Sequence, residues 1–367
     1  MKIITIVGAR PQFIKAAAVS RAIREHNIKN SHKIKELIVH TGQHYDENMS
    51  DVFFDEMDIP RPHYNLEING LSHGAMTGRM LEEIEKVLLD EKPDAVLVYG
   101  DTNSTLAGAL AASKLHIPLA HVEAGLRSFN MKMPEEINRI LADRVSTWLF
   151  CPTETAVHNL RNEGFVYSDN SVINTNCIPV VTNVGDVMLD AALFYKSKSR
   201  KPGFDISPEY ILATIHRAEN TDEEVNIRSI VDIFNDIATG YNILIPMHPR
   251  TKGIIAKYGL KFSENVQVIE PVGYLEMVYL ISNSILVMTD SGGLQKEAFF
   301  FSKPCITLRT ETEWVELIAN KVNIVTGLNR ERINEAMNYY KQNMCDFGAS
   351  LYGKGNASEL IINELLK

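Results

Sequence analysis

Five apolar, β-branched runs in this chain each stop at one chemically competent residue. They are VLVYG before Asp101, PLAHV before Glu123, YILATI before His216, NILIPM before His248 and ILVMT before Asp290. Unbroken apolar runs of this length predict strands buried on both faces of a parallel sheet. Between them lie 3.6-period patterns. KIITIVG (2–8) predicts a first strand, and a helix follows from about Pro11 to Glu25 with proline in its first turn. KELIVHTG is a second strand, and SHGAMTGRMLEEIEKVLLDEK a long amphipathic helix entered through Ser72. DAVLVYGD, TLAGALAASKL and IPLAHVEAG form a βαβ unit; PEEINRILADRVS, TWLFCP and TETAVHNLRNEG continue the alternation.

A less regular stretch (about 168–207) separates this series from a second one: YILATIH, NIRSIVDIFNDIA, NILIPMH, VQVIEP, ILVMTDSGG and QKEAFF, with ASELIINELL as a closing helix. The expectation is an α/β protein of two Rossmann-like halves facing across a cleft. The first domain is 1–170 and the second is 171–355. A length of 367 residues agrees with two domains.

In such sheets ligands bind at the carboxyl ends of the strands, so the residues there are the candidate chemistry. Asp101 and Glu123 end strands directly. Glu135 and Glu136 stand at a helix start, where compensation of the helix dipole also explains them. His216 ends a strand in the second half, positioned to bridge an acid cluster and a phosphate. His248, before Pro249 and Arg250, reads as a turn. Gly8-Ala9-Arg10-Pro11-Gln12 lacks the dinucleotide fingerprint, but Arg10 sits where its guanidinium can meet a phosphate. Ser291, Gly292 and Gly293 open a helix after a strand, an arrangement suited to an anion; Asp290 beside them reads as a ligand contact or as a helix cap. Trp314, among charged neighbours, is either a pocket wall or a buried indole.

The net charge of −9 argues against a nucleic-acid partner. Four scattered cysteines, no C-x-x-C and no paired histidine spacing predict no metal site. Without a leader pattern or an apolar stretch long enough to span a bilayer, a soluble, cytoplasmic protein is expected.

GARPQFIK, HTGQH, VYGDTNSTLAGALAA, HVEAGLRS, PEEINR, ATIHRAEN, MHPR, TDSGGLQKEA and RTETEW occur in this order from residue 1 to about 320. In this respect the chain resembles the non-hydrolysing UDP-N-acetylglucosamine 2-epimerases, and the resemblance implies a GT-B-like fold with helix 356–367 packing back on the first domain. The resemblance implies acid/base roles for Asp101, Glu123, Glu135 and His216, and phosphate contacts from Arg10, His216 and the Ser291–Gly293 helix end. Glu297 would hold the ribose and the loop around Tyr274 the uracil. Gln43 and His44 match a substrate-binding loop, and Arg139 and Arg309 complete the substrate contacts.

Two departures, Gln12 in place of an acid and Thr312-Glu313-Trp314-Val315-Glu316 in place of TTERPE, make the chain look most like the branch acting on UDP-2,3-diacetamido-2,3-dideoxy-glucuronate. That branch makes precursors of bacterial O-antigen and capsule. The implied reaction is elimination and re-addition of UDP with no cofactor, in a protein that is commonly a homodimer. The alternatives are a hydrolysing 2-epimerase, a GT-B glycosyltransferase and a nucleotide-sugar sensor.

Overall fold

A computed structural model describes residues 1–43, 54, 58–165 and 179–367. It divides into two compact units, Met1–Ala191 with Ser350–Lys367, and Ala192–Ala349. The chain passes from one to the other inside the helix Val187–Lys196, so the described part of the irregular stretch up to Ala191 belongs with the first unit.

The first unit holds a seven-stranded, all-parallel sheet. Its strands are β1 (Lys2–Val7), β2 (Lys35–His40), β3 (Tyr64–Asn65), β4 (Ala95–Tyr99), β5 (Leu119–Val122), β6 (Trp148–Cys151) and β7 (Val180–Asn183). They lie in the order β3-β2-β1-β4-β5-β6-β7. Ile4 and Ile6 of β1 and Val96 and Val98 of β4 pack with Met80 and Ile84 of helix His73–Glu91 and the alanines of helix Asn103–Lys114. The small residues let that second helix lie close to the sheet: a Cβ on Gly108 would come within 2.8 Å of Ile6 Cδ1. The C-terminal helix Ala357–Leu365 belongs to this unit and packs on helix Arg10–Lys29. Asp190 accepts the N–H groups of Ala357 (3.1 Å) and Ser358 (2.8 Å) at its start.

The second unit repeats the plan. Its strands are β8 (Ile211–Thr214), β9 (Ile243–Pro246), β10 (Val266–Ile269), β11 (Leu286–Thr289), β12 (Cys305–Thr307) and β13 (Asn323–Val325), in the order β10-β9-β8-β11-β12-β13. Ile211, Ala213, Ile243 and Ile245 meet Ile227, Ile230, Val231 and Phe234 of helix Glu224–Ile237. In each sheet the strand order reverses once, between β1 and β4 and between β8 and β11. That reversal opens the crevice in which doubly wound sheets take their ligands. No helix among the described residues is long and apolar enough to cross a membrane.

Candidate active site

In the first unit the residues after β1, β4 and β5 converge. Gly8 follows β1 where any Cβ would collide with Ser104 Oγ and Thr41 Oγ1. The Gln12 side chain folds back on this turn. Its carbonyl accepts from Gly8 N (2.8 Å) and Ala9 N (3.1 Å), and its amide donates to Tyr99 O (2.6 Å) and to the hydroxyls of Thr102 and Thr105. An ionised glutamate could accept the first two bonds but could not donate the last three, so the amide ties the turn after β1 to the turn after β4. Arg10, half-buried, is the first residue of helix Arg10–Lys29.

Asp101 stands two residues beyond β4 and pairs with Arg139 Nη2 at 2.5 Å, keeping 29% of its side-chain exposure. Burial raises its carboxyl above the ordinary aspartate value; Arg139 opposes the rise, while Glu123 and Glu135 add to it. Glu123, directly after β5, is ion-paired with Lys15 of helix Arg10–Lys29. Its backbone is left-handed, with φ of 76°, a conformation that costs a non-glycine residue free energy and recurs at functional sites.

Of the two acids opening helix Pro134–Val145, Glu135 is exposed and Glu136 buried. Glu136 accepts Ser128 N (2.9 Å), Ser128 Oγ (3.0 Å), Phe129 N (2.9 Å) and Arg139 Nη1 (3.0 Å). Burial alone would raise its carboxyl, but these donors outweigh it and hold the group below the ordinary value. Glu136 therefore shapes the 128–129 loop and steadies the arginine facing Asp101, a larger part than dipole compensation. Gln43 Oε1 is taken up by Ser104 N (3.0 Å) and Ser104 Oγ (2.7 Å), and His44 lies outside the described residues.

In the second unit Asp290 follows β11 and is wholly buried. It accepts His216 N (3.1 Å), Arg217 N (3.1 Å) and Asn220 Nδ2 (3.0 Å), and lies 3.1 Å from His216 Nδ1. Burial works against its charge, yet His216, Asn220 and the backbone donors keep its carboxyl below the ordinary range. Asp290 is thus neither a helix cap nor an open ligand contact: it clamps the turn after β8 and leaves His216 with 54% of its side chain exposed. The cap of helix Gly292–Phe300 is Ser291, whose hydroxyl accepts from Leu294 N at 3.5 Å. No acid occupies that helix's first turn, so the N–H groups of Gly292 and Gly293 and the positive end of the helix suit an anion.

Arg309 pairs with Glu313 at 3.2 Å, and Glu313 lies against Gly292. Trp314 is a buried indole: its Nε1 donates to Gly292 O (3.0 Å) and its ring lies 4.0 Å from Lys296 Nζ. Glu297 is pushed by burial to a pKa of about 7, beside the Tyr274 phenol and Lys296. Tyr274 opens helix Tyr274–Asn283 with its ring edge-on to Tyr195. His248 caps helix Pro249–Lys257, accepting from Arg250 N at 3.2 Å, in agreement with its reading as a turn residue.

The family model described as UDP-N-acetylglucosamine 2-epimerase matches residues 26–366. The chain belongs to the UDP-N-acetylglucosamine 2-epimerase family. A UDP-2,3-diacetamido-2,3-dideoxy-D-glucuronate 2-epimerase of Pseudomonas aeruginosa is 55% identical, with all of both chains aligned. Among solved structures, the Methanocaldococcus jannaschii UDP-GlcNAc 2-epimerase in complex with UDP-GlcNAc and UDP matches with a TM-score of 0.85 at 42% identity, covering 100% of this chain and 99% of that one. The Neisseria meningitidis UDP-GlcNAc 2-epimerase bound to UDP-GlcNAc matches with a TM-score of 0.86 at 33% identity over both complete chains. Membership in the epimerase family agrees with the resemblance carried by the motifs.

Reading by strand ends alone passes over Lys15, which a helical pattern presents as one more surface lysine. It also passes over the buried His121, Asp143 and Arg127; His121 and Arg127 lie within HVEAGLRS but do not end a strand.

Proposed function

We propose that the protein inverts C2 of a UDP-2-acetamido sugar without net hydrolysis, and that this sugar is 2,3-diacetamido-2,3-dideoxy-D-glucuronate. A C2–H beside an acetamido group is too weakly acidic for simple removal and return. A base therefore takes the C2 proton as the C1–O bond to UDP breaks, leaving a glycal and the UDP anion. A UDP oxygen then adds back to C1 while an acid delivers a proton to the opposite face of C2. No carbonyl forms, so the step is redox-neutral and uses no cofactor.

Asp101 and Glu123 exchange the protons, with Glu135 as the third acid, and Lys15 and Arg139 hold the two carboxylates. Arg10, His216, Arg309 and the Ser291–Gly292–Gly293 helix start stabilise the departing diphosphate. Glu297 takes the ribose, and the segment at Tyr274 the uracil. The observation carrying this reading is the pair of carboxylates that end adjacent strands β4 and β5. One has its proton affinity raised by burial and the other is tied to a lysine, the kind of divergence that separates an acid from a base. The identity to the Pseudomonas aeruginosa enzyme supports the choice of sugar. On this reading the enzyme is a cytoplasmic homodimer serving surface-polysaccharide precursor synthesis.

The test is positional isotope exchange. With 18O placed between C1 and the β-phosphorus, the label should scramble into the non-bridging β-oxygens while the manno-configured UDP-sugar forms. Net release of UDP would move the protein to the hydrolysing class. Neither scrambling nor conversion would end the epimerase reading.

A further inference from the structure

Beneath the two acid-bearing turns of the first unit lies a continuous buried polar bridge. His121, in β5, is wholly buried; its Nδ1 lies 2.7 Å from Asp143 Oδ1 and its Nε2 lies 2.7 Å from Gly100 O. Both ring nitrogens are occupied, each within hydrogen-bond distance of an oxygen atom. Asp143, wholly buried on helix Pro134–Val145, gives its second oxygen to Gly125 N (3.2 Å) and Arg127 Nη1 (2.7 Å). Arg127 goes on to grip Glu163 through Nε (2.6 Å) and Nη2 (2.9 Å).

The two ends of this bridge are chemically pointed. Gly100 immediately precedes Asp101, and Gly125 follows Glu123 by two residues. Gly100, Glu123 and Gly125 all have left-handed backbones, with φ of 62°, 76° and 78°. Glycine adopts this conformation freely, so the strain falls on Glu123, and it persists only where the surroundings over-determine it. The ladder between β4 and β5 runs out just here, since its last backbone bond is Gly100 N to Val122 O at 3.0 Å. Beyond that point, Gly100–His121–Asp143–Gly125 is a hydrogen-bonded path that ties the Asp101 turn to the Glu123 turn.

We propose that His121 and Asp143 are positioning residues that fix the separation of Asp101 and Glu123. Full burial and two occupied ring nitrogens exclude His121 from meeting a substrate, so its part is geometric. The catalytic half of this assignment rests on the epimerase reading; the structural half does not.

The test compares wild type with His121→Gln, whose amide can donate to one of the two acceptors but cannot span both. Two readouts are taken on protein shown to be folded by circular dichroism. One is the titration of Asp101, followed by NMR with 13C-labelled aspartate carboxyls and assigned by loss of the signal in Asp101→Asn. The other is kcat and KM for the UDP-sugar. The proposal expects the Asp101 midpoint to move down towards the ordinary carboxylate range as water reaches the loosened turn. It also expects kcat to fall about 10²-fold, the cost of sub-ångström to ångström misplacement, with KM little changed.

Asp143→Asn, which keeps the shape but reverses half of the acceptor pattern, serves if His121→Gln does not fold, and it should act in the same direction. The double variant should be no slower than the worse single one, because the two act as a unit. A folded variant in which Asp101 titrates as in wild type and turnover is unchanged would overturn the proposal. If wild type epimerises no UDP-sugar, the proposed function fails, and the titration alone still decides whether the bridge positions Asp101.

Discussion

Asp101 and Asp290 sit at equivalent points of the two units, each just past a buried strand that flanks the reversal in strand order. Their surroundings divide them. Asp101 keeps part of its surface and faces one guanidinium, with its carboxyl raised by burial. Asp290 has no exposed surface, spends its oxygens on backbone N–H groups, Asn220 and His216, and has its carboxyl lowered. A carboxylate at a strand end is available for chemistry when its oxygens are left partly open to water and charge. It is structural when the neighbouring turn has consumed them.

The sharpest way to break this contrast is substitution at its two ends. Asp101→Asn should lower kcat about 10³-fold, the usual scale for losing an acid/base group, while the thermal midpoint hardly moves. Asp290→Ala should act first on stability. Leaving the N–H groups of His216 and Arg217 without their acceptor should cost about 3 kcal/mol, read from urea unfolding of the second unit. If Asp290→Ala left stability intact and abolished turnover as Asp101→Asn does, the two residues would be doing one job and the distinction would be wrong.

Glu297 offers a finer test, because its carboxyl is raised by burial to about 7. A raised carboxyl binds its proton more tightly folded than unfolded. Its stabilisation is therefore full below about pH 4.5 and is lost as pH rises through about 7, a swing on the order of 3 kcal/mol. Unfolding of the second unit followed between pH 4 and 8 should show this decline, and Glu297→Gln should flatten it. A wild-type curve rising with pH through that window would contradict the assignment. The smallest effect belongs to Asp190, a first-unit carboxylate used as Asp290 is. Asp190→Asn should weaken the start of helix Ala357–Leu365 by about 1 kcal/mol, seen as faster amide exchange there, with kcat unchanged.

Much of this was legible in the chain because buried parallel strands are written in unbroken apolar runs. β1, β4, β5, β8, β9 and β11 all lie within the runs that predict them. β3, β7, β12 and β13 were not read as strands, since what makes them strands is pairing with a neighbour. Helix Arg330–Gln342 was legible and passed over: Ile333, Ala336, Met337 and Tyr340 recur at helical spacing and pack on the second core.

At the site, Asp101 and Glu123 were readable from their places at strand ends, whereas their partners were not. Lys15 closes the GARPQFIK motif, but it is separated from Glu123 by 108 residues and nothing in the sequence pairs the two. The division of labour between Glu135 and Glu136 follows from which side of one helix faces the 128–129 loop, a matter of packing. Asp290 carried the same strand-end signal as Asp101 and differs only in what the β8 turn does to it.

The central claim, proton exchange at C2 by the first-unit carboxylates, is tested most directly by incubation in D2O. The protein is given UDP-2,3-diacetamido-2,3-dideoxy-D-glucuronate and, separately, UDP-N-acetylglucosamine, and H1 and H2 are followed by proton NMR. Deuterium entering C2 of the diacetamido-uronate as its manno epimer appears, with UDP still attached and with loss of the exchange in Asp101→Asn, is the result expected. No exchange at C2 of either sugar with folded wild-type protein would contradict it.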